Sequence, residues 1–223
     1  MKAKIAEIFS SIQGEAKYLG SPTVFVRFAG CDIGCQWCDT DHEVKETLSC
    51  EEVVDRIEAL YDPGYLISLT GGEPLLQWEF IQELLPLLKE KQMNVFLETN
   101  GVLYREYEKV KDGINIVSMD LKLPSSTGCR AFWAEHREMM EMAKEKDLFI
   151  KIVVTKNTSK EELIFAAQMI ASVDASLVLY LQPNTDELKS GALDRCLEFQ
   201  QTALEFLRDV RVVPQVHKLI DIP

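Results

Sequence analysis

No apolar run in the chain approaches the ~18–20 residues that a membrane-spanning helix needs, so a membrane is not expected as a partner. Also missing are a Pro/Gly/Ser-rich linker, a shift in composition, an internal repeat and a low-complexity stretch. The 223 residues are therefore expected to form one domain, 1–223, with a 47% hydrophobic fraction ample for its core. An excess of positive charge is absent as well. The formal net charge of −12 argues against a nucleic-acid backbone as the main partner, while leaving a small anionic ligand open. Met1-Lys2-Ala3-Lys4 lacks the apolar segment of a secretory leader. A cytoplasmic location with reduced thiols follows as the expectation, and disulfides do not.

The most informative absence is a fourth cysteine. Cys31-Asp32-Ile33-Gly34-Cys35-Gln36-Trp37-Cys38 packs three thiols into eight residues, one short of a closed zinc or iron–sulfur set. His42, four residues past Cys38, leaves a Cys3His zinc site open as one reading. The other is a cubane cluster held at three corners, whose fourth iron is free to bind a small molecule. This Cys-x3-Cys-x2-Cys spacing resembles the cluster loop of radical S-adenosylmethionine (SAM) enzymes. Cys50, Cys129 and Cys196 stand singly and read as buried or idle thiols.

Short β-branched and aromatic runs alternate with helical periods. Strands are predicted at 23–28, 66–69, 94–97, 114–117, 149–154 and 177–181, and helices over 78–88, 161–170 and 193–207. A further helix through Leu60 opens on the capping box of Ser49 and Glu52. Such alternation implies right-handed βαβ units on a parallel sheet. About six units fit, so the predicted fold is α/β, an open rather than closed barrel. The chemically loaded stretches all follow strands, where the sites of such sheets gather.

Among these loops, Thr70-Gly71-Gly72-Glu73-Pro74 offers exposed backbone groups and a carboxylate, a combination suited to an ammonium group. Ser118, Asp120 and Lys122 alternate at a strand end, and Gln182 precedes Pro183. Before the first barrel strand, Ile12-Gln13-Gly14-Glu15 places an amide, a flexible glycine and a carboxylate together. Arg27 lies in an otherwise apolar strand, which is costly unless it is paired within the fold or clamps a substrate carboxylate.

Phe9-Ser-Ser-Ile-Gln-Gly-Glu15, Phe25-Val-Arg-Phe-Ala-Gly-Cys31, Cys35-Gln-Trp-Cys-Asp-Thr40, Thr70-Gly-Gly-Glu-Pro74, Asp120-Leu-Lys-Leu-Pro-Ser-Ser126 and Pro214-Gln-Val-His-Lys218 together resemble the 7-carboxy-7-deazaguanine synthase family of radical SAM enzymes. The resemblance implies a partial, modified (β/α)6-type barrel that converts 6-carboxy-5,6,7,8-tetrahydropterin to 7-carboxy-7-deazaguanine, in the pathway to queuosine and related deazapurines. It implies a [4Fe–4S] cluster, SAM and Mg2+ as cofactors, an electron donor such as flavodoxin or ferredoxin, and a homodimer. By the same resemblance, Cys31, Cys35 and Cys38 hold the cluster and Thr40 a magnesium ion. Trp37, Asp39, Gly72, Glu73, Ser118, Asp120 and Gln182 meet SAM, and Ile12, Gln13, Gly14, Arg27, Thr70 and Pro223 meet the pterin. The chain departs from the family at two sites: Ala16 follows Gly14-Glu15 where glycine is frequent, and Met119-Asp120 follows Ser118 where some members have proline and lysine. A glycyl-radical activase shares the cysteine loop but leaves Gln13-Gly14-Glu15, Thr40 and His217-Lys218 unexplained. A zinc-stapled interaction domain leaves the glycine loop unexplained.

Overall fold

Hydrophobic side chains every second residue give each parallel strand two different faces, and that difference builds both the core and the cavity. The computed structural model describes residues 1–223. In chain order its elements are β1 (Lys2–Ile12), β2 (Pro22–Phe28), β3 (Glu46–Ser49), α1 (Cys50–Glu58), β4 (Leu66–Gly71), α2 (Trp78–Glu90), β5 (Asn94–Thr99) and α3 (Tyr104–Val110). They continue with β6 (Ile116–Asp120), α4 (Pro124–Thr127), α5 (Trp133–Ala143), β7 (Asp147–Val154), α6 (Lys160–Asp174), β8 (Leu179–Pro183), α7 (Leu193–Ala203), β9 (Val210–Val212) and α8 (Val216–Leu219).

One sheet holds every strand, in the order β3-β1-β2-β4-β5-β6-β7-β8-β9. From β2 through β4 to β9 the neighbours run parallel, so six crossovers join seven strands. The terminal strands β3 and β9 do not pair with each other, and the barrel stays open. The expected six units and open barrel are therefore what forms.

On β7, Leu148, Ile150, Ile152 and Val154 join the large core beneath the helices. Burial of each such side chain contributes about 1.5–3 kcal/mol. The alternate residue Phe149 turns inward and packs with Ala16, Leu66, Phe96, Ile116 and Tyr180 as an apolar floor inside the barrel. Two residues further along the same inner face stand polar groups: Ser68 after Leu66, Glu98 after Phe96, Ser118 after Ile116, Lys151 after Phe149 and Gln182 after Tyr180. The period of two thus converts a greasy floor into a charged chamber within one strand rise of about 7 Å.

The capping box forms as expected, Ser49 Oγ accepting from Glu52 N at 3.3 Å and Glu52 Oε2 from Ser49 N at 2.7 Å. Boundaries shift elsewhere. The strand predicted at 114–117 runs from Ile116 to Asp120, which places Ser118 and Asp120 within it. The last long helix stops at Ala203 rather than Leu207. The larger difference is β1, an eleven-residue strand where the sequence suggested only a segment leading to the barrel. Its antiparallel register with β2 (Ile8↔Val26, Ser10↔Val24, Ile12↔Pro22) is imposed by pairing rather than by strand-forming residues such as Ser10 and Ser11. The short, partly charged β3 then covers the outer edge of β1.

Candidate active site

A cavity of about 630 Å³ opens at the carboxyl ends of the parallel strands. It has the size of a small-molecule site. Cys31, Cys35, Cys38, Trp37, Asp39 and Thr40 form one wall; Ile12, Gln13, Gly14 and Arg27 form another. Thr70, Gly72, Ser118, Asp120 and Gln182 line the strand ends between them, and Pro223 closes over from the tail. Every residue expected at the site therefore lines this one cavity, except Glu73.

Glu73 corrects the expectation of a carboxylate facing an ammonium group. Its side chain is fully buried behind the loop. There it accepts from Thr99 Oγ1 at 2.9 and 3.0 Å, from Asn100 N at 2.7 Å and from Leu75 N at 3.0 Å. Burial pushes its carboxyl up to about 7, against the pull of those donors. The physical reason is the turn itself, which Gly71 makes at φ 136° and which sends the next carboxylate inward. Glu73 braces the loop rather than meeting a ligand.

The paired glycines also have a chain-to-chain role. A Cβ on Gly71 would lie 2.1 Å from Phe28 O, and one on Gly72 would lie 2.0 Å from Gly30 O and 3.0 Å from Cys31 Cβ. Gly72 N donates to Phe28 O at 3.2 Å and Glu73 N to Gly30 O at 2.9 Å. The glycine loop is thus laid backbone to backbone against the start of the cysteine loop, which only glycine permits.

Within the cysteine loop, Gln36 N donates to Thr127 O at 3.0 Å and Trp37 Nε1 to Ser126 Oγ at 3.2 Å, fixing the second half on α4. All six cysteines of the protein are free thiols. Burial pushes the Cys31 thiol up and the Cys35 thiol to about 11. The three loop thiols share a wall without being gathered about one point, and Asp32, Gly34, Gln36 and Cys38 are exposed. His42 does not line the cavity, and its Nδ1 sits 3.0 Å from Thr40 O in its own loop. Three soft sulfur donors with no fourth protein ligand fit an iron–sulfur cluster with one open iron better than a closed zinc site.

Charge inside the chamber is dense and mostly paired. Lys151 donates to Glu15 and lies 3.2 Å from Asp120 Oδ1; Lys122 donates to Asp120 Oδ2 at 2.8 Å. Burial opposes the charge on Lys151, but Asp120, Glu15 and Glu98 hold its ammonium well above the usual lysine range. Burial likewise opposes ionisation of Glu15 and Asp120, yet the lysines keep both carboxyls below the usual carboxylate range. Glu98 accepts from Ser68 Oγ at 2.6 Å and Gln13 Nε2 at 3.2 Å, and burial raises its carboxyl. Lys122 also sits 5.1 Å above the Trp37 ring. Asp120 Oδ1, although near Lys151, makes no hydrogen bond and remains a buried acceptor beside the cavity.

Arg27 pairs only loosely within the fold. Its Nε lies 3.6 Å from Glu7 Oε2, its guanidinium stands 5.5 Å over Phe9, and it makes no hydrogen bond. The planar fork is therefore free toward the cavity. Opposite, Val216 N donates to Gly14 O at 2.9 Å, Lys218 pairs with Asp39, and Ser11 Oγ donates to Pro223 O at 2.9 Å. His217 packs so closely on Gly14 that a Cβ there would meet its ring at 2.1 Å.

The sequence reading gave no role to Lys151, Glu98, Asn100, Gln215 or His217. A lysine amid Phe149-Ile150 and Ile152-Val153-Val154 carries the same signal that singled out Arg27 and was the one available cue.

Residues 25–170 match the model of the Radical SAM superfamily. The whole chain is 37% identical to the 7-carboxy-7-deazaguanine synthase of Geobacter sulfurreducens, covering 98% of this chain and 97% of that protein. It is 34% identical to the enzyme of the same name from Methanothermobacter thermautotrophicus, covering 99% and 98%. The fold is similar to the crystal structure of QueE from Escherichia coli, with a TM-score of 0.65 at 22% identity over 97% of this chain and 95% of that one. The chain belongs to the 7-carboxy-7-deazaguanine synthase family of the radical SAM superfamily.

Proposed function

We propose that the cavity holds the pterin between Arg27 and the tail, and SAM between the cysteine loop and the strand ends. The protein is a radical SAM carbon–nitrogen lyase that converts 6-carboxy-5,6,7,8-tetrahydropterin to 7-carboxy-7-deazaguanine with loss of ammonia, in queuosine biosynthesis. The observation that supports this placement is the single cavity joining the three loop thiols to Gln13, Gly14, Arg27 and Thr70. When bound, a [4Fe–4S] cluster and SAM would supply one-electron reduction and radical chemistry toward the pterin.

The chain's own residues bind and orient. Cys31, Cys35 and Cys38 would hold three irons. Trp37, Asp39, Gly72, Ser118, Asp120 and Gln182 would face SAM, with Asp39 kept ionised by Lys218. Ile12, Gln13, Gly14, Thr70 and Pro223 would frame the pterin, whose carboxylate Arg27 would clamp through its two free terminal nitrogens. Thr40 would offer a hydroxyl to Mg2+ beside that carboxylate, an ion that keeps most of its waters. The paired charges of Glu15, Asp120, Lys122 and Lys151 are already oriented, so little reorganisation accompanies reaction. In this reading residues 1–223 act as one domain, which the N-terminal segment and the tail complete. A homodimer in the cytoplasm, reduced by flavodoxin or ferredoxin, is its cellular form. No helix is long and apolar enough to cross a membrane.

Anaerobic reconstitution followed by incubation with the carboxypterin, SAM, Mg2+ and a reductant should yield 7-carboxy-7-deazaguanine and ammonia. Failure to form that product with a loaded cluster would overturn the assignment. Arg27→Ala should raise KM for the pterin about tenfold or more, the scale of a lost charge-assisted pair, with kcat less affected. An unaltered KM removes the clamp. Thr40→Ala should lower turnover and blunt its Mg2+ dependence while leaving iron content unchanged; wild-type Mg2+ dependence removes Thr40 from that role.

A further inference from the structure

The first half of the cysteine loop is held to the rest of the protein at very few points. Its second half rests on α4 through Gln36 and Trp37. No backbone amide from Cys31 to Cys35 donates to another backbone carbonyl. Only one side-chain hydrogen bond reaches these residues from outside the loop: Asn100 Nδ2 donates to Asp32 Oδ1 at 2.7 Å.

Asn100 is itself fixed on every polar atom. Its N–H donates to Glu73 Oε2 at 2.7 Å, and its Oδ1 accepts from Val102 N at 3.0 Å. Its carbonyl lies 3.0 Å from His136 Nε2. A carbonyl can only accept, so His136 carries its proton on Nε2 and its buried Nδ1 is left without a partner. Burial pushes the imidazole down to about 4, which keeps it neutral in this donating form. Asn100 is nearly fully buried, whereas Asp32 is exposed. The bond thus joins a core residue to an exposed residue of the loop.

We propose that Asn100 is a positioning residue for the cluster loop, holding Asp32, and through it Cys31, against the glycine loop. The proposal rests on the reading of Cys31, Cys35 and Cys38 as cluster ligands. The charge on Asp32 strengthens the bond, and its direction sets where the Cys31 thiol starts before the three sulfurs converge.

The test follows iron release from the reconstituted holoenzyme to a chelator under anaerobic conditions. Asn100→Leu keeps the backbone bonds to Glu73 and His136 but loses the side-chain bonds to Asp32 and Val102, and only the first of these is shared with the Asp32 variant. It should release iron about tenfold faster, the scale of one charge-assisted hydrogen bond. Asp32→Ala, made at an exposed site that leaves the core intact, should do the same. The exchanged pair Asp32→Asn with Asn100→Asp restores one donor facing one acceptor at unchanged net charge, and should return release to within about twofold of wild type. Release at the wild-type rate from either single variant, or an exchanged pair as labile as Asn100→Leu, overturns the proposal. The electron paramagnetic resonance spectrum of the reduced wild-type cluster with and without SAM separates the two readings. A spectrum unchanged by SAM defeats the assignment of the cluster site, whereas a SAM-dependent spectrum with unaltered release in the variants defeats only the role of Asn100.

Discussion

Lys151→Met should destabilise the apo-protein by about 3–5 kcal/mol, the cost of removing one partner from a buried ion set. Lys151 is 9% exposed and Glu15 14%. Methionine keeps the length and most of the volume but removes the charge, so the loss is electrostatic rather than a cavity. Asp120 retains Lys122, but Glu15 would keep only the amides of Gln215 at 2.9 Å and Gln182 at 3.3 Å. By contrast, Arg56→Met at the exposed pair with Glu46 should leave stability close to that of the wild type.

The pH dependence gives this prediction its signature. In the wild type the carboxyls of Glu15 and Asp120 lie below their unfolded values despite burial, because the lysines hold them ionised. Their stabilisation is therefore complete above the unfolded values of about 4 and is lost as pH falls through the depressed folded values. Without Lys151, burial is opposed only by the amides of Gln215 and Gln182 at Glu15 and by Ser68 and Gln13 at Glu98, and it raises both carboxyls. The folded variant then binds more protons than its unfolded chain, so its stability falls as pH rises and recovers on acidification. Urea unfolding at about pH 8 and about pH 5 should show the deficit narrowing at the lower value. An equal deficit at both, or one below about 1 kcal/mol, would sink the account of the charge set.

The contrast between Lys151 and the cysteine loop marks what a sequence makes legible here. Cys31, Cys35 and Cys38, or Thr70 to Pro74, lie within single loops, so spacing alone declares their chemistry. The alternating strands were visible because buried parallel strands are dense in β-branched residues. Lys151 and Glu15 are separated by 136 positions, and Gln215 and Glu15 by 200, and only the folded sheet brings them together. β1 is illegible in the sequence for a related reason, since its strand state comes from the register with β2. Glu73 shows a subtler limit. The motif names the residue, but the φ of Gly71 decides whether its carboxylate faces a ligand or the core.

Gly72→Ala, set against Gly34→Ala, separates the packing role of the glycines from their chemistry. At Gly72 a methyl group would stand 2.0 Å from Gly30 O and 2.6 Å from Gly30 C, both backbone atoms that cannot rotate away. Relief requires the glycine loop and the start of the cysteine loop to separate, breaking the bond from Glu73 N to Gly30 O. Overpacking of this kind costs about 1–3 kcal/mol, and the displaced loop carries Cys31 with it. At Gly34, inside the same cysteine loop, a Cβ would meet nothing within 4 Å. Gly72→Ala should therefore lose turnover about a hundredfold or more and weaken SAM binding at least about tenfold, as misplacement of a site by about 1 Å does. Gly34→Ala should retain iron, SAM affinity and turnover within about twofold, because an exposed substitution without a clash lies within about 0.5 kcal/mol of neutral. Calorimetric titration of SAM into both holoenzymes measures the difference. Equal losses in the two would mean that the loop needs glycine for backbone freedom at large, and the contact with Gly30 would cease to explain why Gly72 is there.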